Sequence, residues 1–230
     1  MPDNVLTEEM VREMSQLGII YGHKKSKTHP RMAPFIAGNR NNTEFIDPQI
    51  ILESLDKAVG FMKEKFKNGG LIIFVGTTPA AKEAVLNISG ELGMPYVVSR
   101  WLGGTLTNFS VINERLKYYE DLKVKKARGD FAKYTKKEQR QFDEKISKLS
   151  KFFDGLANLK KLPDIVFIVD IKVHSTALKE ARLLKIPIVA VLDTDDDPDL
   201  VEYPIFASDH NKAGIDWMFG RIKKELKSNG

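Results

Sequence analysis

The 230-residue sequence predicts an α/β fold: a Rossmann-like or flavodoxin-like parallel sheet flanked by helices, with an inserted antiparallel coiled-coil hairpin. Two observations predict the sheet. Continuous apolar runs, Leu71-Ile72-Ile73-Phe74-Val75, Ile165-Val166-Phe167-Ile168-Val169 and residues 186–192, each end in turn signals, as suits strands buried on both faces. The last two are separated by a helical stretch at 175–185, and strand, helix, strand implies parallel pairing. A third observation predicts the hairpin: Phe109, Ile112, Leu116 and Tyr119, then Phe142, Ile146, Leu149, Phe153 and Leu156, recur at intervals of three and four.

In chain order, residues 1–21 read as an amphipathic N-terminal helix with an acidic balance. Met10, Met14 and Leu17 share one face, which is expected to meet a protein partner. Residues 22–43 carry Lys24, Lys25, Lys27, Arg31 and Arg40 plus His23 and His29, and no acid. This is a basic arm, expected to be mobile when free, because it is highly charged and poor in core-forming residues. The α/β domain takes 44–108 and 162–222. Within it the first long run ends at Gly76, and Thr78-Pro79 supplies a cap and a proline at the first helical position, opening a helix through Leu92. Residues 96–98 and 204–207 are shorter strand candidates. Gly103-Gly104-Thr105 reads as a flexible turn with a threonine cap for the next helix. The hairpin occupies 109–161, turning near Arg128-Gly129-Asp130, and residues 223–230 form a short basic tail.

Charge is concentrated rather than spread. Residues 111–161 hold 15 Lys+Arg against 8 Asp+Glu, which leaves 21 against 23 for the rest. Such a hairpin can lie along a phosphate backbone, or it can be a solvated coiled coil. Cysteine is absent, which excludes disulfides, cysteine-based zinc fingers and thiol catalysis, and fits a reducing, cytoplasmic location. The first residues resemble neither a secretory signal nor a transit peptide, and no apolar run approaches the ~18 residues of a membrane span.

Nucleotide chemistry is the rival reading for such a fold. Residues 76–81 contain neither G-x-G-x-x-G nor a P-loop, and Pro79 cannot donate to a phosphate. The acidic run Asp193-Thr194-Asp195-Asp196-Asp197-Pro198-Asp199 follows a strand end, where open α/β sheets bind ligands. Asp193, Asp197, Asp209 and His210 are candidate magnesium ligands, set against a solvated Asp-Pro turn. His23, His29, His174 and His210 are scattered and accompany no nucleophile motif, so no catalytic residue is assigned.

Arg100-Trp101-Leu102-Gly103-Gly104-Thr105-Leu106-Thr107-Asn108-Phe109, preceded by Gly93-Met94-Pro95-Tyr96-Val97, closely resembles the signature of the small ribosomal subunit protein two family, bacterial type. The resemblance continues in Gly22-His23, Pro30-Arg31-Met32-Ala33-Pro34-Phe35-Ile36, Phe74-Val75-Gly76-Thr77, Leu162-Pro163-Asp164, Lys179-Glu180-Ala181-Arg182 and Asp193-Thr194, covering about 23–215. It implies a non-enzymatic constituent of the small ribosomal subunit, bound to small-subunit rRNA and neighbouring ribosomal proteins. It also implies docking of the large multi-domain ribosomal protein one. Three stretches depart from the family pattern. Thr28-His29-Pro30-Arg31-Met32 lacks the Trp before Asn-Pro-Lys-Met, Ile171 and His174 replace Pro and Glu, and residues 206–210 replace Pro-Gly-Asn-Asp-Asp, which weakens a metal site carried over from the family.

The expected RNA-binding set is therefore Lys24, Lys25, Lys27, Arg31 and Arg40 on the arm, Arg100 at the hairpin base, and Lys125, Lys126, Arg128, Lys133, Lys136 and Lys137 near the hairpin tip. These neutralise phosphates, while specificity comes from folded RNA shape. The alternative is a nucleotide or sugar-phosphate binding α/β enzyme.

Overall fold

In the computed structural model, which describes residues 6–228, the first element is α1 (Glu8–Gln16). Residues 1–5 of the predicted N-terminal segment and 229–230 of the predicted tail lie outside the described residues. The Thr7 hydroxyl caps α1 by accepting the Met10 N–H at 3.2 Å, and Glu8 and Glu9 complement the helix dipole. Its apolar stripe faces this chain's own core. Met14 is fully buried, and Met10 and Leu17 pack against the same cluster. The face expected to meet a partner is thus spent internally, which leaves Glu8, Glu9 and Glu13 outward.

Residues 22–43, expected as a mobile arm, form most of a small antiparallel sheet of β1 (Tyr21–Lys24), β2 (Ile36–Arg40) and β3 (Thr43–Ile46), ordered β1-β3-β2. Asn41 and Asn42, at φ 51° and 62°, make the two-residue turn that pairs Arg40 with Thr43. Asparagine tolerates this left-handed backbone, and such turns match strand twist. Met32, fully buried, anchors the segment to the core.

The main body follows. α2 (Pro48–Lys67) starts on an Asp47 side chain that accepts the Gln49 N–H at 2.8 Å, with Pro48 at the first helical position. Then come β4 (Ile72–Val75), α3 (Pro79–Leu92), β5 (Tyr96–Val97), α4 (Phe109–Ala127), α5 (Lys136–Phe153), β6 (Ile165–Val169), α6 (Ser175–Leu183), β7 (Ile188–Leu192), β8 (Tyr203–Phe206) and α7 (Lys212–Lys227). Residues 223–227 of the expected tail are thus the last turns of α7, which bury Leu226. No helix of the described residues is long and apolar enough to cross a membrane.

The five later strands pair in parallel in the order β5-β4-β6-β7-β8. Counted within this sheet the order is 2-1-3-4-5, the flavodoxin-like arrangement. Every residue of β4, β6 and β7 is buried, and successive side chains take opposite faces. Ile72, Phe74, Ile165, Phe167, Val189 and Val191 join α2, α3 and α7 in one cluster, while Ile73, Val75, Val166, Ile168, Ala190 and Leu192 meet α4, α6 and residues 101–106 in the other.

Helices α4 and α5 pack on each other. Tyr118 receives a hydrogen bond from Lys145 at 2.6 Å, Lys126 pairs with Asp143 at 2.7 Å, and Phe131 stacks on Phe142 at 4.4 Å near the turn. A capping box between Thr135 and Glu138 starts α5. The two expected threonine caps are not made. Thr78 precedes α3 without a side-chain cap bond, and Thr105 donates instead to the Leu102 carbonyl at 2.6 Å, because α4 begins only at Phe109.

Candidate nucleic-acid interface

The loop 100–108 holds the stretch that resembles the family signature, and one buried carboxylate organises it. Glu180 on α6 accepts Trp101 Nε1–H at 3.0 Å and the Gly104 N–H at 2.8 Å on Oε1. Its Oε2 accepts the Leu106 N–H at 2.9 Å, with the Thr107 N–H and hydroxyl both at 3.2 Å. Burial alone raises this carboxyl's pKa, but the bonds from Trp101, Leu106, Gly104 and Thr107 together hold it below its usual value. Gly104, at φ 86°, supplies the left-handed turn that points successive N–H groups at one acceptor. Gly104 therefore shapes a carboxylate-bound turn at the base of the hairpin.

A second anchor holds the small sheet to the body. Thr194, in the acidic loop after β7, accepts the His23 N–H on its hydroxyl at 2.8 Å and the His29 N–H on its carbonyl at 2.9 Å. Gly22 lies so close that an added Cβ would stand 2.2 Å from Thr194 Cγ2. Arg31 spans to the same loop through Nη1, which donates to both Asp197 carboxylate oxygens at 2.9 and 3.0 Å and lies 2.9 Å from Asp199. Asp197 and Asp199 thus hold the Arg31 guanidinium, which is a fastening between the two sheets as much as an exposed cation.

The acidic loop also crowds carboxylates. Burial, with Asp195 and Asp170 nearby, pushes Asp196 up to about 7, and burial with Asp170, Asp193, Asp196 and Asp195 nearby pushes Asp209 up to about 9. Asp193, also raised by burial, lies 3.2 Å from His23 Nδ1 without hydrogen-bond alignment, and 4.0 Å from His210 Nε2. The donors that converge are His23, Asp193 and His210, all within 4.8 Å of one another. Among the expected ligands, Asp197 belongs to Arg31 and Asp209 lies beside its own neighbour, Nδ1 of His210, at 3.3 Å. Two imidazoles and one carboxylate could hold a divalent transition ion and suit it better than magnesium, which prefers oxygen donors. Sequence reasoning missed His23 here because a residue on β1 comes near residue 193 only through the small sheet's docking.

At the carboxyl ends of β4 and β6, the switch point of this strand order, the crevice is closed by His174. Its Nε2 accepts the Thr77 N–H at 3.2 Å and contacts the Thr77 hydroxyl at 3.0 Å, and its Nδ1 lies 2.8 Å from the Asp170 carbonyl. The N–H beside the α3 N-terminus, which a phosphate would need, is spent on an imidazole. Because that nitrogen accepts, the folded state favours neutral His174, and burial lowers its pKa. Protonation therefore favours the unfolded chain, and this contribution to stability is present above the ordinary histidine pKa of about 6.5 and lost as pH falls below it. Asp196 and Asp209 act with the opposite sign, so the expected result is a difference. Urea melts at pH 7.5 and 5.5 should show the chain losing more stability on acidification than its His174→Gln variant, and equal losses would contradict the assignment.

The expected cations separate into two groups. Lys24 and Arg40 on the small sheet and Lys25 and Lys27 in the turn after β1 are exposed, as are Arg128, Lys133, Lys136 and Lys137 at the hairpin turn, with no ion pair among the described residues. Lys125 and Lys126 are instead paired at 2.7 Å with Asp121 and Asp143. Such surface pairs contribute little to stability and can reopen toward a phosphate.

Comparison with known proteins bears on most of the chain. A family model described as Ribosomal protein S2 matches residues 14–228. A small ribosomal subunit protein uS2 from Chloroflexus aurantiacus is 41% identical over 212 residues, 92% of this chain and 89% of the relative. One from Coprothermobacter proteolyticus is 39% identical over 212 residues, 92% of this chain and 79% of the relative. A third, from Fusobacterium nucleatum, is 40% identical over 200 residues, covering 86% and 81%. With the flavodoxin-like sheet, the carboxylate-bound signature loop and a match spanning nearly its full length, the chain belongs to the ribosomal protein S2 family.

Proposed function

We propose that this protein is a structural, non-enzymatic constituent of the small ribosomal subunit that binds small-subunit rRNA and neighbouring ribosomal proteins. The observation that carries the reading is family membership over nearly the whole chain. The charge distribution supports the RNA part. Lys24, Lys25, Lys27 and Arg40 are exposed on the small sheet and the turn after β1, and Arg128, Lys133, Lys136 and Lys137 are exposed around the turn between α4 and α5. Two groups of exposed cations on different elements suit recognition of a folded RNA by its shape, with phosphates neutralised at both. Arg31, Lys125 and Lys126 contribute where RNA displaces their acidic partners. The enzyme alternative needs an open phosphate site at the switch point, and His174 occupies that position.

Protein neighbours, including the large multi-domain ribosomal protein one, meet the surface that remains outward on α1, where Glu8, Glu9 and Glu13 are exposed. The place of action on this reading is the ribosome in the cytoplasm. The test is equilibrium binding to small-subunit rRNA across salt. With six to ten phosphate contacts, affinity falls about 10³- to 10⁵-fold between 50 and 200 mM salt. Affinity that is weak and indifferent to salt would sink the RNA part of the reading.

A further inference from the structure

We propose that Lys82, Arg100 and Lys151 form a socket for one phosphodiester group of RNA, at the corner where the hairpin leaves the parallel sheet. The proposal rests on the RNA-binding reading above and assigns to it a place that the two groups of exposed cations do not include. The three cations come from three elements: Lys82 from the first turn of α3, Arg100 from the segment after β5, and Lys151 from the last turn of α5. Together with Ser99 and Ser150 they line one concavity of about 160 Å³.

Three cations line this concavity against a single acid. Elsewhere on the hairpin Lys125, Lys126 and Arg140 each have an acidic partner within 3.0 Å. Among the described residues Lys82, Arg100 and Lys151 have no ion pair. The one acid on the rim, Asp154, is already engaged on Oδ1 by the Tyr119 hydroxyl at 2.6 Å and Lys123 at 3.3 Å. Lys82 stands in the first turn of α3, where the helix dipole opposes a cation. Three like charges lining one concavity, one of them at the positive end of a helix, cost free energy in the free protein, and an anion reduces that cost.

Size narrows the ligand. The volume lies below the ~300 Å³ at which small-molecule pockets begin, so the concavity holds a phosphate group and not a nucleotide cofactor. Lys82, Arg100, Ser99 and Lys151 are all exposed at its mouth, so a polynucleotide can pass over it and place a phosphate within. A free anion in so open a site stays in competition with water, whereas a phosphodiester is held there by the rest of the RNA interface.

Lysine acetylation read by mass spectrometry tests this on the full chain, in three states: free, with millimolar inorganic phosphate, and assembled in small subunits. Lys82 and Lys151 should react in the first two states and be protected about tenfold or more in the third. Binding of the Lys82→Gln, Lys151→Gln double variant to small-subunit rRNA should show a salt slope smaller by about one unit, with unchanged circular dichroism. Wild-type binding with an unchanged slope in the variant, or reactive lysines in the subunit, would overturn the socket alone. Protection by inorganic phosphate alone would reassign it to a free anion and overturn the RNA assignment. Failure of the unaltered chain to bind rRNA would sink the wider reading and the socket with it.

Discussion

Glu180→Ala is expected to destabilise the protein by about 3 kcal/mol or more, because it leaves four N–H donors and a hydroxyl without their acceptor. The indole of Trp101 and the Leu106 amide are buried, so water cannot replace the carboxylate freely. Glu180→Gln is not a rescue. One of its two terminal groups is an NH₂, which would face donors at Leu106 and Thr107, so it should lose most of the same stability. Chemical denaturation of the two variants measures this directly. If Glu180→Gln kept full stability, the carboxylate would not be the organising group of the loop.

The second large effect concerns Gly155, just beyond α5. A Cβ there would lie 2.2 Å from the Tyr96 carbonyl oxygen and 2.7 Å from its ring, so the obstacle is backbone of a sheet strand that cannot yield. Gly155→Ala should cost about 1–3 kcal/mol by overpacking and lower the melting temperature by several degrees. Gly220, inside α7, has open space where its Cβ would go and a negative φ. Gly220→Ala should therefore act with the opposite sign, stabilising by about 0.4–1 kcal/mol through a less flexible unfolded chain. Thermal melts of the two alanine variants against the parent separate contact from propensity, and a loss at both positions would contradict the geometric account.

The parallel sheet was legible because its central strands are buried on both faces. Residues 72–75, 165–169 and 188–192 have no polar alternation to confuse, and the predicted runs fall on them nearly residue for residue. The helix Pro79–Leu92 was legible from its proline start, and Gly93 ends it at φ 67°. By contrast the small sheet was hidden by charge. Its β1 and β2 are mostly exposed, so their side chains show composition and not alternation, and the one clear sign was the Asn41-Asn42 turn. α2 was also overlooked, although Asp47-Pro48 and the spacing of Ile51, Leu52, Leu55, Val59 and Met62 announce it.

Site residues were legible as types and not as pairings. Glu180 lay within the matched Lys179-Glu180-Ala181-Arg182 stretch, yet its partners are 73 to 79 residues away. Likewise Arg31 read as a free cation because Asp197 and Asp199 stand 166 residues or more along the chain. Lys82 and Lys151 are unremarkable in sequence, and only the packing of the turn after α5 against β5 brings them to one concavity. Local patterns specify elements, but ion pairs and sockets are set by which strand lies beside which.

The central claim, that this chain is a structural RNA-binding component of the small ribosomal subunit, is tested most directly by sedimentation. Native cell extract is run on sucrose gradients at low and high salt, with the chain followed by mass spectrometry. The account predicts comigration with the small subunit at low salt and release as salt rises, since phosphate contacts dominate the attachment. A free, low-mass peak at both salts would contradict it.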